Sequence, residues 1–209
     1  GPYALRLNGA WSGVDFDGDR FFRSYTPDFN GSLTTLESNE ARNFQEAMVI
    51  GGDIERKFDN IDAKVITYNR RERSNNSARF AAFSAPGSLI SANTSEPNSK
   101  AGESILRGQV NWKLNDRHSI EIAAEAAYNF IDNITGFVRE TPGSVTSFFV
   151  DGSDTKVEEF RSEFQISDVW TVSPSLTIEP GFKFETSRIE QNINFPDDTD
   201  GDPLTARLD

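Results

Sequence analysis

Along much of the chain, apolar and polar residues alternate one for one. Leu106, Gly108, Val110, Trp112 and Leu114 are interleaved with Arg107, Gln109, Asn111 and Lys113. Ile120, Ile122, Ala124, Ala126, Tyr128 and Phe130 run against Glu121, Glu125 and Asn129. Phe160, Phe164, Ile166, Trp170 and Val172 oppose Glu159, Arg161, Glu163 and Gln165, and Leu176, Ile178, Phe182 and Phe184 oppose Thr177, Glu179, Lys183 and Glu185. The same texture recurs in Tyr3, Leu5, Leu7 and Trp11, and in Phe44, Met48, Ile50, Ile54 and Phe58. A period of two places successive side chains on opposite faces of a strand, so each segment predicts a strand with one apolar face. The pattern gives seven strands, at 3–13, 43–58, 61–73, 104–114, 118–131, 157–171 and 175–190. In 61–73 the series Ala63, Val65 gives way to Ile66, Tyr68, which predicts a bulge and a register shift of one. Ile120, Ala123, Ala124, Ala127, Tyr128 and Ile131 also fit a helix face, and taken alone that segment suits both forms. Its alternating neighbours and short linking turn decide for a strand.

The connections are of two kinds. Asp59-Asn60, Asn115-Asp116 and Ser173-Pro174-Ser175 are tight breaks of turn-forming residues. Asp59, Asn115 and Ser173 stand 56 and 58 residues apart, so a unit of near-constant length repeats. Polar stretches at 15–42, 74–103, 132–156 and from 191 onward predict long loops at the opposite end. Long connections without structure are uncommon in compact soluble domains. Their regular exchange with short turns is instead the plan of an outer-membrane β-barrel. The expected fold is therefore all-β: an antiparallel up-and-down meander of about seven long strands, part of a larger transmembrane barrel. An odd count does not close such a barrel, and the expectation is that 1–209 form a fragment of one.

Composition sharpens this picture. The net charge is −12, from 21 basic and 33 acidic side chains, and it argues against nucleic acid as a partner, since phosphate binding needs a basic face. It also argues against electrostatic attraction to an anionic membrane surface. The chain has no cysteine, which removes disulfides, thiolate metal sites and a cysteine nucleophile. His118 is the only histidine, leaving no His pair for a metal. Aromatic residues at 11%, with 17 Phe to one Met, favour an all-β chain over a disordered one despite a mean hydropathy of −0.54.

The two faces of the expected strands differ in chemistry. Leu106, Val110, Trp112, Ile120, Ile122, Phe164, Ile166, Trp170, Ile178, Phe182 and Phe184 are assigned to the membrane side. Trp112 and Trp170 lie just before short turns, where an interfacial aromatic belt falls. Arg107, Glu121, Glu125, Arg161, Glu163, Lys183 and Glu185 are assigned to the lumen.

The run Gly102-Glu103-Ser104-Ile105-Leu106-Arg107-Gly108, with Trp112-Lys113-Leu114 and Arg117-His118-Ser119-Ile120-Glu121, resembles the barrel of TonB-dependent outer-membrane receptors. So do Ala124-Glu125-Ala126-Ala127-Tyr128-Asn129, Phe160-Arg161-Ser162-Glu163, Asp168-Val169-Trp170 and Ser173-Pro174-Ser175-Leu176-Thr177. The likeness is one of strand texture, clearest over about 100–190. Nothing matches that family's plug domain, its energy-coupling box or its closing C-terminal strand. The resemblance implies a transporter of scarce, bulky nutrients such as iron chelates, cobalamin or oligosaccharides. It also implies location in the outer membrane of a Gram-negative bacterium, and partners in outer-membrane lipid, the nutrient ligand and, through a plug, the TonB protein. The alternative is a soluble all-β module binding a carbohydrate or similar ligand.

Candidate ligand contacts are the lumen residues Arg73, Asn129 and Arg161 near the loop bases, and the loop aromatics Phe80, Phe83 and Phe137. Recognition usually sits in loops carried on a rigid wall. Arg70-Arg71-Glu72-Arg73 suits an anionic ligand or lipopolysaccharide phosphates, against the plainer reading of a solvated strand end with an internal ion pair. Asp15, Asp17 and Asp19, and the matching run 198–202, alternate carboxylates as a calcium loop does. However, their Gly comes too early for an EF-hand, so acidic turns are the reading kept. No cofactor and no metal are expected. Without a nucleophile-elbow motif, an enzyme is not expected either.

Overall fold

A computed structural model of the chain describes residues 3–25, 33–84, 87–148, 150, 152–194 and 204–208. The strands are β1 (Tyr3–Tyr25), β2 (Leu33–Lys57), β3 (Ile61–Ser84), β4 (Leu89–Lys113), β5 (His118–Thr141), β6 (Ser144–Phe148), β7 (Asp154–Ser173), β8 (Leu176–Ile178), β9 (Gly181–Asn194) and β10 (Leu204–Leu208). All ten belong to one sheet, in the order β1-β2-β3-β4-β5-β7-β9-β10, with β6 added to β5 and β8 to β7. Every pairing is antiparallel. This is the expected up-and-down meander, with seven long strands and three short ones. The segment from Ile120 is a strand, and the helical alternative falls.

The polar stretches read as long loops are largely strand. β3 and β4 stay paired from Ile61↔Trp112 as far as Ala82↔Ser91, and β1 and β2 from Tyr3↔Arg56 to Ser24↔Thr35. β5 and β7 pair up to Ile134↔Asp154, beyond which β5 turns back on β6 at Pro142-Gly143. Gly143 has φ of 83°, a left-handed conformation that glycine adopts without strain. The physical reason for the misreading is simple. A hydrogen-bonded ladder needs no particular side chains, whereas alternation appears only when one face is apolar. Where both faces carry polar groups, as in Arg70 to Ala78, the ladder continues and the sequence signal vanishes.

The expected bulge in 61–73 is absent as well. β3 holds one register with β2 throughout, and with β4 up to Ala82. Val65 and Ile66 therefore lie on opposite faces, and Ile66 is an apolar residue on the polar face.

Register also staggers the strands. Following paired residues across the sheet from Tyr3 leads to Arg56, Ala63, Val110, Ile122, Ile166 and Phe182. Arg56 is the penultimate residue of β2, Val110 stands three before the end of β4, and Ile166 stands seven before the end of β7. The turn ends thus drift steadily in one direction, the offset that tilted strands require.

All eleven residues assigned to the membrane side share one face. Leu106, Val110, Trp112, Ile120, Ile122, Phe164, Ile166, Trp170, Phe182 and Phe184 follow from the ladders, and Ile178 pairs with Trp170. No large side chain is fully buried among the described residues, and the buried positions there are Ser38, Gly51, Ala81, Ala92, Ala123 and Ala127. The sheet is a single layer with no core in the globular sense.

Candidate functional site

The polar face near the short turns carries a row of charge broken only by Ile66. Arg6, Asp53, Ile66, Arg107, Glu125, Glu163 and Glu185 are successive cross-strand neighbours. Three carboxylates side by side would repel one another. Cations from the same and neighbouring positions relieve this. Glu125 takes Arg161 at 3.1 Å and Arg107 at 3.6 Å, and Lys183 bridges Glu163 at 2.9 Å and Glu185 at 3.5 Å. At the β1–β2 end, Arg6 holds Asp53 at 2.5 Å and Glu55 at 3.1 Å, and Lys64 adds a contact to Asp53 at 3.6 Å. Small residues make room for these long side chains. Ala123 and Ala127 lie buried on the same face, flanking Glu125.

Further up the strands, neutral donors converge on a carboxylate. The Asn129 amide donates to Glu159 at 2.9 Å, and the Ser187 hydroxyl donates to the same carboxylate at 2.8 Å. Higher still, Phe137 stacks on Phe148 with ring centroids 5.7 Å apart, and the Arg139 guanidinium lies over Phe148 at 5.8 Å.

Many large apolar side chains lie open on one face, while several carboxylates of the other are crowded. Leu7 is 77% exposed and Phe182 60%, while the side chains of Glu163 and Glu125 are only 14% and 15% exposed. Carboxylates crowd together on one face, and bulky hydrocarbon splays apart on the other.

The six candidate ligand residues do not converge on one surface. Arg161, Asn129, Phe80 and Phe137 lie on the polar face. Arg73 and Phe83 are on the opposite face, Arg73 paired across to Glu46 and Lys100. The placement of Arg73 near the lumen is therefore corrected by one residue of parity. The basic cluster is split the same way: Arg70 bonds Glu72 on the polar face, while Arg71 and Arg73 point to the other. Phe80 and Phe83 sit on a paired hairpin rather than in a loop, and Phe80 is well exposed. Asp15, Asp17 and Asp19 fall within β1, with Asp17 bonded to Arg42 at 2.8 Å, so this is no calcium loop. The run 198–202 lies outside the described residues. No group of three or more potential ligands is placed to hold a metal among the described residues.

His118 bonds Asp168 at 2.7 Å and stacks on Trp170 with centroids 5.6 Å apart, fixing a polar pair beside the aromatic ring at the turn end. In the adjoining turn, Lys113 at 2.9 Å holds the Asp116 carboxyl below its ordinary value. At the far end the Glu140 carboxylate raises Arg79. Both pairs are surface features of small energetic weight.

No protein-family model matches the chain, and no curated protein matches it.

Proposed function

We propose that this chain is part of the wall of an outer-membrane β-barrel, and that the barrel is a receptor-transporter for a scarce, bulky solute. The observation that carries the barrel reading is the contrast of exposure between the two faces. In lipid, backbone groups must be satisfied within the wall, and the outward side chains must be apolar. The inner strands meet the first term, and the apolar face meets the second below the row of Tyr128 and Phe160, which Asn69 and Arg188 share. Its band runs from Trp112 and Trp170 near the turns to Tyr128, Phe130 and Phe160 above. From Ile120 to Tyr128 the band takes in nine residues, matching the ~9–11 of a tilted spanning strand. The staggered register supports the same reading through strand tilt. A soluble sandwich would need a second layer to cover Leu5, Leu7, Ile50, Leu106 and Phe184, and all of these are exposed.

The receptor reading rests on less: the strand texture shared with TonB-dependent receptors, and strands that continue well above the apolar band. β3 and β4 extend beyond Tyr68 and Ile105 into a paired hairpin carrying Phe80 on the polar face. Such a rigid extension presents side chains above a wide mouth. On this reading Asn129, Arg161 and Phe80 meet the ligand from the lumen side, and Arg73 and Phe83 do not.

The test uses the complete protein in detergent micelles, titrated with a ferric hydroxamate, cobalamin and maltohexaose while tryptophan fluorescence is followed. One of the three should quench saturably. Phe80→Ala with Arg161→Gln should weaken that ligand by about tenfold or more, the loss of ~1.4 kcal/mol. If none of them saturates, and the protein instead gives a steady conductance in planar bilayers, a passive pore replaces the receptor.

A further inference from the structure

Just above the apolar band, the membrane-side face carries cations that have no acidic partner. Arg71 lies level with Trp11, Met48, Gly102 and Phe130, and the next row holds Glu46, Arg73, Lys100, Asp132 and Lys156 as successive neighbours. Among the described residues, no carboxylate lies within ion-pair distance of Arg71, Arg73 or Lys100. Glu46 and Asp132 are the acids beside Arg73 and Lys100 in the ladder, and neither comes within ion-pair distance of them. Glu46 accepts from the Trp11 indole at 2.8 Å, and Lys156 pairs with Glu158 at 3.0 Å.

Arg71 is held in place. Its guanidinium donates to the carbonyls of Arg70 and Glu103 at 2.8 and 3.1 Å and to the Ser104 hydroxyl at 3.2 Å, and it lies 5.4 Å from the centre of the Phe130 ring. Gly102 makes this possible, because a Cβ there would come within 2.4 Å of Phe130 and 2.9 Å of the Arg71 guanidinium. A cation is thus fixed at the aromatic edge of the band with its charge uncompensated. From the row above Arg71 upward lies a groove of about 560 Å3 whose lining includes Lys100, Lys156, Asp132, Asp154, Asn75 and Asn98. Amide and carboxylate side chains of this kind pair with the hydroxyls of a sugar, and the lysines with phosphate.

We propose that this surface binds the headgroup of a phosphorylated glycolipid in the outer leaflet. Its phosphate meets Arg71, Arg73 and Lys100, its sugar enters the groove, and its acyl chains lie against Leu106, Ala126 and Tyr128 below. The proposal rests on the membrane-barrel reading. The chain's net charge of −12 does not oppose it, because charges beyond a Debye length of ~8 Å are screened and the contact is local. In the sequence only Arg71 and Arg73 show as part of a basic run. Arg71 and Arg73 are joined to Lys100 only by strand register.

The experiment places the complete protein in phosphatidylcholine vesicles and measures retention of diphosphoryl lipid A, of dephosphorylated lipid A and of inorganic phosphate. Insertion is scored separately by protease protection. The wild type should insert and retain diphosphoryl lipid A in preference to the dephosphorylated form. Arg71→Gln/Arg73→Gln/Lys100→Gln should insert equally but bind at least about tenfold more weakly, since the phosphate loses its cationic partners. Equal retention by the two inserted proteins would overturn the lipid site and leave the barrel standing. Preference for inorganic phosphate would make this a free-anion site and also overturn it. A wild type that does not insert would remove the barrel and the lipid site together.

Discussion

Arginine in place of Ile122 or Phe182 should prevent the protein from inserting into a bilayer. Both residues lie on the apolar face, two steps apart along one cross-strand row that passes through Ile166. Neither faces another element, so in water such a substitution would relieve apolar exposure and do no harm. In lipid the sign reverses. A cation on the lipid side of a barrel near mid-membrane costs ~2–4 kcal/mol, a large share of the ~5–15 kcal/mol that holds a typical domain folded. Ile122→Phe keeps the apolar contact and should insert normally. Glu121→Leu lies one residue away on the polar face and should leave insertion intact. The readout is protease protection and resistance of the folded band to unfolding in detergent. Normal insertion of Ile122→Arg together with failure of Glu121→Leu would mean that the faces are reversed.

A single alanine inserted between Gly108 and Gln109 should be as damaging as the arginine. β4 sits in the middle of the sheet and holds an unbroken register with β5, and with β3 as far as Ala82. One extra residue must either bulge against both ladders or rotate one side of the strand by a face. Rotation would carry Arg107 and Glu103 to the apolar side and Leu106 to the polar side. Arg107 would also leave Glu125, with which it now pairs at 3.6 Å. Inserting two alanines at the same place restores the alternation and should recover most of the assembled protein. Equal recovery with one and two would mean that face parity is not what organises this sheet.

The contrast between what was legible in the sequence and what was not follows from the same parity. In the strands near the short turns, apolar residues at every second position showed which residues share a face, from Leu5 to Phe184. The turns at Asp59, Asn115 and Ser173 were legible because their residues favour tight turns. Above the apolar band the signal failed, as in Ser74-Asn75-Asn76-Ser77, because a strand wetted on both faces has nothing to alternate. That is why Arg73 was assigned to the wrong face and why the hairpin bearing Phe80 and Phe83 looked like a loop. Arg71 and Arg73 were legible as part of a basic run, but the full cluster with Lys100 was out of reach for a different reason. It is built by register between β3 and β4, and register is not written in either strand alone.

The most direct test of the account uses the absence of cysteine from the chain. Single cysteines placed in turn from Ser104 to Val110 and from Ile120 to Tyr128, in the complete protein, can each carry a spin label in lipid vesicles. Collision with oxygen, which partitions into lipid, is compared with collision with a water-soluble nickel chelate. Labels at Leu106, Ile122, Ala124 and Ala126 should favour oxygen, and labels at Arg107, Glu121 and Glu125 should favour nickel, in strict alternation. Equal nickel access on both faces, or alternation in the opposite phase, would contradict the assignment of lipid and water to the two sides of this sheet.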